Sequence, residues 1–257
     1  MADSNETAYE VNEVSWWSNW TETKWQSRNA YLMFSKQFDE YFFNRGGFLR
    51  ITPDSKKSIA PMESEFEARK RKPHLLLQSD QLDSKLLVTL AKGGYRIADQ
   101  MAVMEIDEAS FKVNPDLKIQ VATGSKLEAW ARVYLDSFYG DTGQLKAVMA
   151  IVQKLTTVRE ASLLIGTIKD KPAGITALFK TGKVCGAYCV ATHRDWRGKR
   201  VASTMLEFSH RSAVEEGRRL ILQTILSDSL EGLYLKLGFR RAYMKDLFVK
   251  DVGRMLK

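Results

Sequence analysis

With 257 residues, the chain can form one large domain or two small ones, and a composition that is 44% hydrophobic and 27% charged fits a globular protein whose core needs no disulfide or metal staple. Two cysteines, Cys185 and Cys189, lie too far apart along one expected strand to bridge, the opening MADSNETAYEVNEV has no secretory pattern, and no apolar run approaches the ~18 residues of a membrane span; a cytoplasmic protein with no membrane partner is expected. The net charge of +8 is dispersed over Lys56-Lys57, Arg69 to Lys72, Arg194 to Arg200 and Arg240-Arg241, and no zinc or RNA-recognition pattern accompanies it, so it reads as a solvated basic surface and not a nucleic-acid interface.

From Asn12 to Phe43 the chain is rich in aromatics, and positions 31, 34, 38, 41 and 42 have helical spacing, which predicts a helix ended by Gly46-Gly47. A strand is expected at Phe48–Thr52, a charged helix at Ser58–Arg71, a strand at His74–Gln78, a helix at Leu82–Ala91 closed by Gly93-Gly94, and a long strand at Tyr95–Ile106. The polar stretch Asp107–Asp116 reads as a connection. Beyond it come a strand at Lys118–Ala122, helices at Leu127–Tyr139 and Gly143–Leu155, and a hairpin of Ala161–Lys169 with Ala173–Lys180 turning at Asp170-Lys171-Pro172. The order then runs strand Val184–Thr192, helix Lys199–Glu216 with Gly217 as its cap, buried strand Leu220–Ile225, helix Ser229–Leu237 and strand Phe239–Lys250. Leu90–Met104 aligns without gaps on Tyr234–Phe248, a weak internal repeat with Leu90 in the place of Tyr234.

The stretch Val190–Leu206 runs from a strand through a short basic loop into a helix. The first amides of a helix have no carbonyl partner and carry partial positive charge, which suits a pyrophosphate. Gly198 permits close backbone approach, small Ala202 leaves room beside the helix, and Arg197, Lys199 and Arg200 add charge.

This stretch resembles the cofactor motif of the GNAT acetyltransferases, Arg/Gln-x-x-Gly-x-Gly/Ala, in the form Arg197-Gly198-Lys199-Arg200-Val201-Ala202. Leu230–Arg241 (LEGLYLKLGFRR) is similar to the family's ending, and the element order from Lys118 to Lys250 matches one GNAT domain. The resemblance implies an α/β fold with a mixed central sheet flanked by helices, pseudo-tandem, with a degenerate GNAT-like unit over 1–110 and a catalytic, acetyl-CoA-binding domain over 117–257. It also implies roles. The backbone of Val190, Ala191 and Thr192 pairs with the pantetheine arm and polarises the thioester. Arg197, Gly198, Lys199, Arg200, Val201 and Ala202 hold the pyrophosphate. Ser227 or Asp228 stands where many members have an Asn touching the pantetheine, and Tyr234 gives a proton to the departing thiolate. One departure stands out: Arg200 replaces the family's inner glycine.

The function expected is acetyl transfer from acetyl-CoA to a primary amine, small molecule or peptide, by direct attack; the alternative is a CoA-binding module or sensor without catalysis. Phe138, Tyr139 and Tyr188 are candidate acceptor contacts. No Asp or Glu lies on Val184–Thr192, so the base is open among Tyr188, His193, Glu160 and a water relay. Cys189 reads as a small core residue, no metal set is visible, and a monomer or homodimer is expected. The first half, lacking an Arg-Gly-x-x-x-Ala run, is expected to be structural.

Overall fold

The computed structural model describes residues 5–250. The first half gives α1 (Asn5–Trp17), β1 (Glu22–Trp25), β2 (Ala30–Phe34), β3 (Arg45–Phe48), α2 (Ile59–Ala68), β4 (His74–Gln78), α3 (Ser84–Lys92) and β5 (Tyr95–Ile106). The second gives β6 (Lys118–Val121), α4 (Ser125–Phe138), α5 (Leu145–Leu155), β7 (Ala161–Ile168), β8 (Lys171–Thr181), β9 (Val184–Thr192), α6 (Val201–Glu215), β10 (Arg219–Ile225), α7 (Glu231–Lys236) and β11 (Phe239–Lys250). The described residues form two compact units. One comprises 5–103, 223–231 and 241–250, and the other 104–222 and 232–240. The final helix and strand are thus divided between them.

In the first unit the strand order is β1-β2-β3-β4-β11-β5. β1–β2 and β2–β3 are antiparallel, β3–β4 is parallel, and β11 lies antiparallel to β4 from Lys245↔Gln78 to Val249↔His74. The helix expected over the aromatic run at 31–42 is absent. Ala30–Phe34 is a strand whose five residues are all buried, so both of its faces are apolar and its spacing imitates a helix. Gly46 and Gly47 consequently lie inside β3 and end no helix. A Cβ on Gly47 would stand 2.6 Å from the Tyr31 hydroxyl, and one on Gly46 would press on Leu75 and Met62. The strand expected at Phe48–Thr52 is in fact Arg45–Phe48. One core cluster gathers Leu32, Phe34, Met62, Phe66, Leu75, Leu77 and Leu90. Trp16, Trp17 and Trp20 of the N-terminal cluster pack against one another and on Phe42 and Phe43, as core.

This unit also encloses four ions. Glu10 accepts from Lys245 Nζ at 2.8 Å and from the Tyr243 hydroxyl at 2.7 Å; Glu13 accepts from Lys245 at 3.0 Å and from Arg45 at 2.6 Å. All four charged side chains are at most 1% exposed. Burial dominates at Glu10 and raises its pKa; at Glu13 burial is outweighed by Lys245 and Arg45, and the pKa is lowered.

In the second unit the order is β10-β9-β8-β7-β6. β6–β7, β7–β8 and β8–β9 are antiparallel and β9–β10 is parallel. The β7–β8 hairpin turns at Lys169-Asp170, both with positive φ, one residue earlier than expected, as the two-residue turn of twisted strands requires. Gly166 and Gly174 let α6 lie close to the sheet: a Cβ at Gly174 would come 2.5 Å from Val201 Cγ1, and one at Gly166 2.9 Å from Met205 Sδ.

Candidate active site

β9 is irregular at one point. Its register with β8 runs through Ala177↔Tyr188 and resumes at Ile175↔Ala191, so Cys189 and Val190 together oppose Thr176. This is a β-bulge, with Cys189 in the left-handed region at φ 53°. Parallel pairing with β10 covers Val184–Gly186, so Ala187–Thr192 extend beyond those three pairs. The strand then leads through a short 3-10 turn at Arg194–Trp196 to the start of α6.

That helix opens from an unusual residue. Arg200, its N-cap, has φ 60° and ψ 22°, a left-handed conformation that suits glycine, the residue the motif resemblance expects there. The first helical bond is Thr204 N–H to Arg200 O at 3.0 Å, so the amides of Val201, Ala202 and Ser203 have no intrahelical carbonyl. Beside them Gly198 has φ 75° and open space where a Cβ would stand, while Arg197, Lys199 and Arg200 are exposed. The combination of free amides, three cations and open backbone fits a pyrophosphate. Lys199 is partly occupied: its ammonium lies 4.5 Å from the centre of the Trp196 ring and donates to Asp195 O at 3.1 Å. Arg194 pairs with Asp136 of α4 and anchors the loop.

Three further hydrogen bonds fix the helix end. Asn114 Nδ2 donates to Lys199 O at 2.9 Å, Asn114 N–H donates to Thr204 Oγ1 at 2.8 Å, and Lys112 N–H donates to Ser203 Oγ at 3.1 Å. By sequence, residues 107–116 look like a simple connection. The partners are some 85 to 91 residues apart, and no local pattern signals the contact.

The acetyltransferase (GNAT) domain family matches residues 159–241, which span β7 through α7. Residues 159–241 therefore resemble a GNAT domain. The whole fold is similar to that of a GCN5-related N-acetyltransferase from Kribbella flavida (TM-score 0.72, 12% identity, 99% of this chain and 98% of that one). It is also similar to a GCN5-related N-acetyltransferase from Sphaerobacter thermophilus (0.65, 13%, 88% and 82%) and to a tandem GNAT protein from the clavulanic acid biosynthesis pathway (0.57, 14%, 80% and 74%). These likenesses show the fold, a large mixed sheet flanked by helices as in GNAT proteins. A comparison with curated protein sequences finds no match.

Within the GNAT domain, Tyr234 is buried on α7, in the same compact unit as β9 and α6, with its ring edge-on to Phe239 at 6.1 Å. Ser227 and Asp228 are exposed and belong to the first unit. There Ser227 Oγ donates to Asp99 Oδ2 at 2.5 Å, and burial together with Asp99 raises the Asp228 pKa. Phe138 is 54% exposed, and both it and Tyr139 lean on Tyr134, at 5.1 and 6.0 Å. Tyr188 is a buried residue of β9 opposite Ala177. His193 Nδ1 accepts from Asp195 N–H at 3.4 Å. Burial pushes the Cys185 thiol up to about 12 and raises that of Cys189 as well, so both are poor nucleophiles. Among the described residues no His, Cys, Asp and Glu cluster has the makings of a metal site, and no helix is long and apolar enough to cross a membrane.

Proposed function

We propose that the GNAT domain transfers an acetyl group from acetyl-CoA to a primary amine, on a small molecule or a peptide, by direct attack. The observation that carries this reading is the pairing, in one unit, of the β9 bulge with the open N-terminus of α6. Acetyl-CoA, when bound, supplies an activated acyl carbon and a thiolate leaving group. The amides of Val201, Ala202 and Ser203, with Arg197 and Arg200, bind the pyrophosphate. Val190, Ala191 and Thr192, beyond the parallel pairs, would offer backbone groups to an extended pantetheine arm, and an amide near the bulge would polarise the thioester carbonyl. Tyr234 holds a phenolic proton that a leaving thiolate can accept.

The test is thiol release against a panel of amines, with Tyr234→Phe beside the wild type. The expected outcome is turnover by the wild type and a fall in kcat of about 100-fold in the variant, with little change in KM for acetyl-CoA. Equal kcat in the two proteins refutes the proton-donor role.

A second reading, a CoA-binding module or sensor without catalysis, is favoured by two observations. β9 bears no carboxylate to act as base, and Arg200 crowds the motif with a side chain. Protection by acetyl-CoA in thermal melting, with no thiol release against any amine, would select it. Absence of protection at about millimolar acetyl-CoA would sink both readings.

A further inference from the structure

We propose that a cavity in the first unit binds a small polyanionic metabolite, one bearing two or more carboxylate or phosphate groups. The cavity, of about 550 Å³, lies where the turn after α1, the end of β2 and the residues following α2 come together. Its size is within the roughly 300–1,000 Å³ of small-molecule sites. Three lining side chains are cations, Lys36, Arg69 and Arg71, and one is a carboxylate, Glu22. Arg69 and Arg71 belong to the basic cluster 69–72, to which the acetyl-transfer reading gives no role.

The cations are held differently, and each has donors to spare. The Arg69 guanidinium lies 4.1 Å from the centre of the Phe34 ring, with Glu65 at 2.6 Å and Glu22 at 3.3 Å. Stacking and ion pairing fix the plane of the fork, and only some of its five N–H donors are used. Arg71 donates to the Ser35 carbonyl at 2.5 Å and to Asp39 at 3.1 Å. Asp39 is 95% exposed, a weakly held partner that a better-placed anion can replace. Lys36 is exposed, and among the described residues no carboxylate pairs with it. Gln37 receives the Ser35 hydroxyl on its amide oxygen, which leaves its NH2 as a further donor at the rim.

With exposed Asp39 displaced, Lys24, Lys36, Arg69 and Arg71 stand against Glu22 and Glu65, an excess of two positive charges that calls for more than one negative group. Buried Trp20 closes one wall, so the ligand presents its acidic groups to the Lys36 and Arg71 side. A concave site of this size suits a small molecule better than a nucleic-acid strand, which needs a basic stripe.

The experiment is calorimetric titration of the full-length protein with inorganic pyrophosphate in one arm and citrate in the other. Three variants are titrated alongside: Lys36→Glu, Arg71→Gln, and a double variant, Arg197→Ala with Lys199→Ala, that disables the α6 end. The expected result is binding in at least one arm that survives the double variant and weakens about tenfold or more in Lys36→Glu. Arg71→Gln, checked for folding by its melting curve, should weaken it similarly. The arm that binds tells phosphate from carboxylate. No binding in either arm at about 5 mM ligand would overturn the proposal. So would binding that the double variant abolishes and Lys36→Glu leaves intact, because that would place the anion at α6. Neither result depends on acetyl transfer.

Discussion

β3 and β9 occupy equivalent positions in two copies of one topology. Each lies antiparallel to the strand before it and parallel to the strand after the next helix. β9 bulges at Cys189-Val190, and α6 opens from the left-handed Arg200 with three amides to offer. β3 is four residues long and wholly buried, and Gly47 lies under the Tyr31 ring. Its chain enters α2 through a 3-10 turn at Ser55–Ser58, where Ser55 N–H donates to Thr52 O and Lys57 N–H to Asp54 O, each at 2.9 Å. The first amide of α2, Ile59 N–H, likewise donates to Lys56 O, so α2 continues a 3-10 turn and does not open from a left-handed residue as α6 does. Strand order alone therefore does not give the two units the same helix start. The bulge in β9 and the left-handed Arg200 are what set the second unit apart.

The interiors differ in the same sense, and the largest effect should come from the first unit. Lys245→Met leaves Glu10 and Glu13 facing each other in the core without their shared cation. A loss of about 3–5 kcal/mol is expected in urea unfolding, whereas a surface change such as Lys199→Met should stay within about 0.5 kcal/mol. Alkali probes the same cluster. Burial lowers the Lys245 pKa, but Glu10 and Glu13 outweigh it and the net shift is upward from 10.5; burial and the two glutamates raise the Tyr243 pKa from 10.0. Groups raised in the folded state contribute stability that is complete below the unfolded values and is lost as pH climbs past them. Stability should therefore fall from about pH 10 upward, read by fluorescence of the tryptophans at 16, 17, 20 and 25, and Lys245→Met should blunt the fall.

Next in size is Gly174→Val in the second unit. The added side chain meets Val201 Cγ1 and pushes the start of α6 off the sheet. About 1–3 kcal/mol of stability should be lost, and protection by acetyl-CoA in thermal melting should vanish. The smallest effect is expected from Arg200→Gly. It relieves a left-handed non-glycine residue, and stability in urea unfolding should rise by up to about 1 kcal/mol. If acetyl-CoA binding falls at the same time, the Arg200 side chain is a phosphate ligand as well as a strained N-cap.

Much of this was legible in the sequence where the physics is local. The strands at His74–Gln78, Tyr95–Ile106, Val184–Thr192 and Phe239–Lys250 coincide with their expected spans, because alternation or an apolar run is bounded by clear breakers. The 31–42 region misled because an all-buried strand followed by an aromatic loop reproduces helical spacing. The Cys189 bulge is a one-residue irregularity that alternation hides. The basic loop and helix at 193–215 were readable, but the Asn114 brace across about 85 residues was not, since hydrogen bonds at that separation leave no pattern. Nor could the sequence reveal that Ser227 and Asp228 belong to the first unit.

The insertion of β11 between β4 and β5 bears on how the protein is made. Lys245 follows Glu10 by 235 residues and Glu13 by 232, so a growing chain exposes both glutamates long before their cation is synthesised. The sheet of the first unit has a vacant slot for the same interval, with an edge of β4 unpaired and prone to wrong partners. Completion of that unit must therefore await synthesis of β11, and nascent chains stalled before it should depend on chaperones to stay soluble.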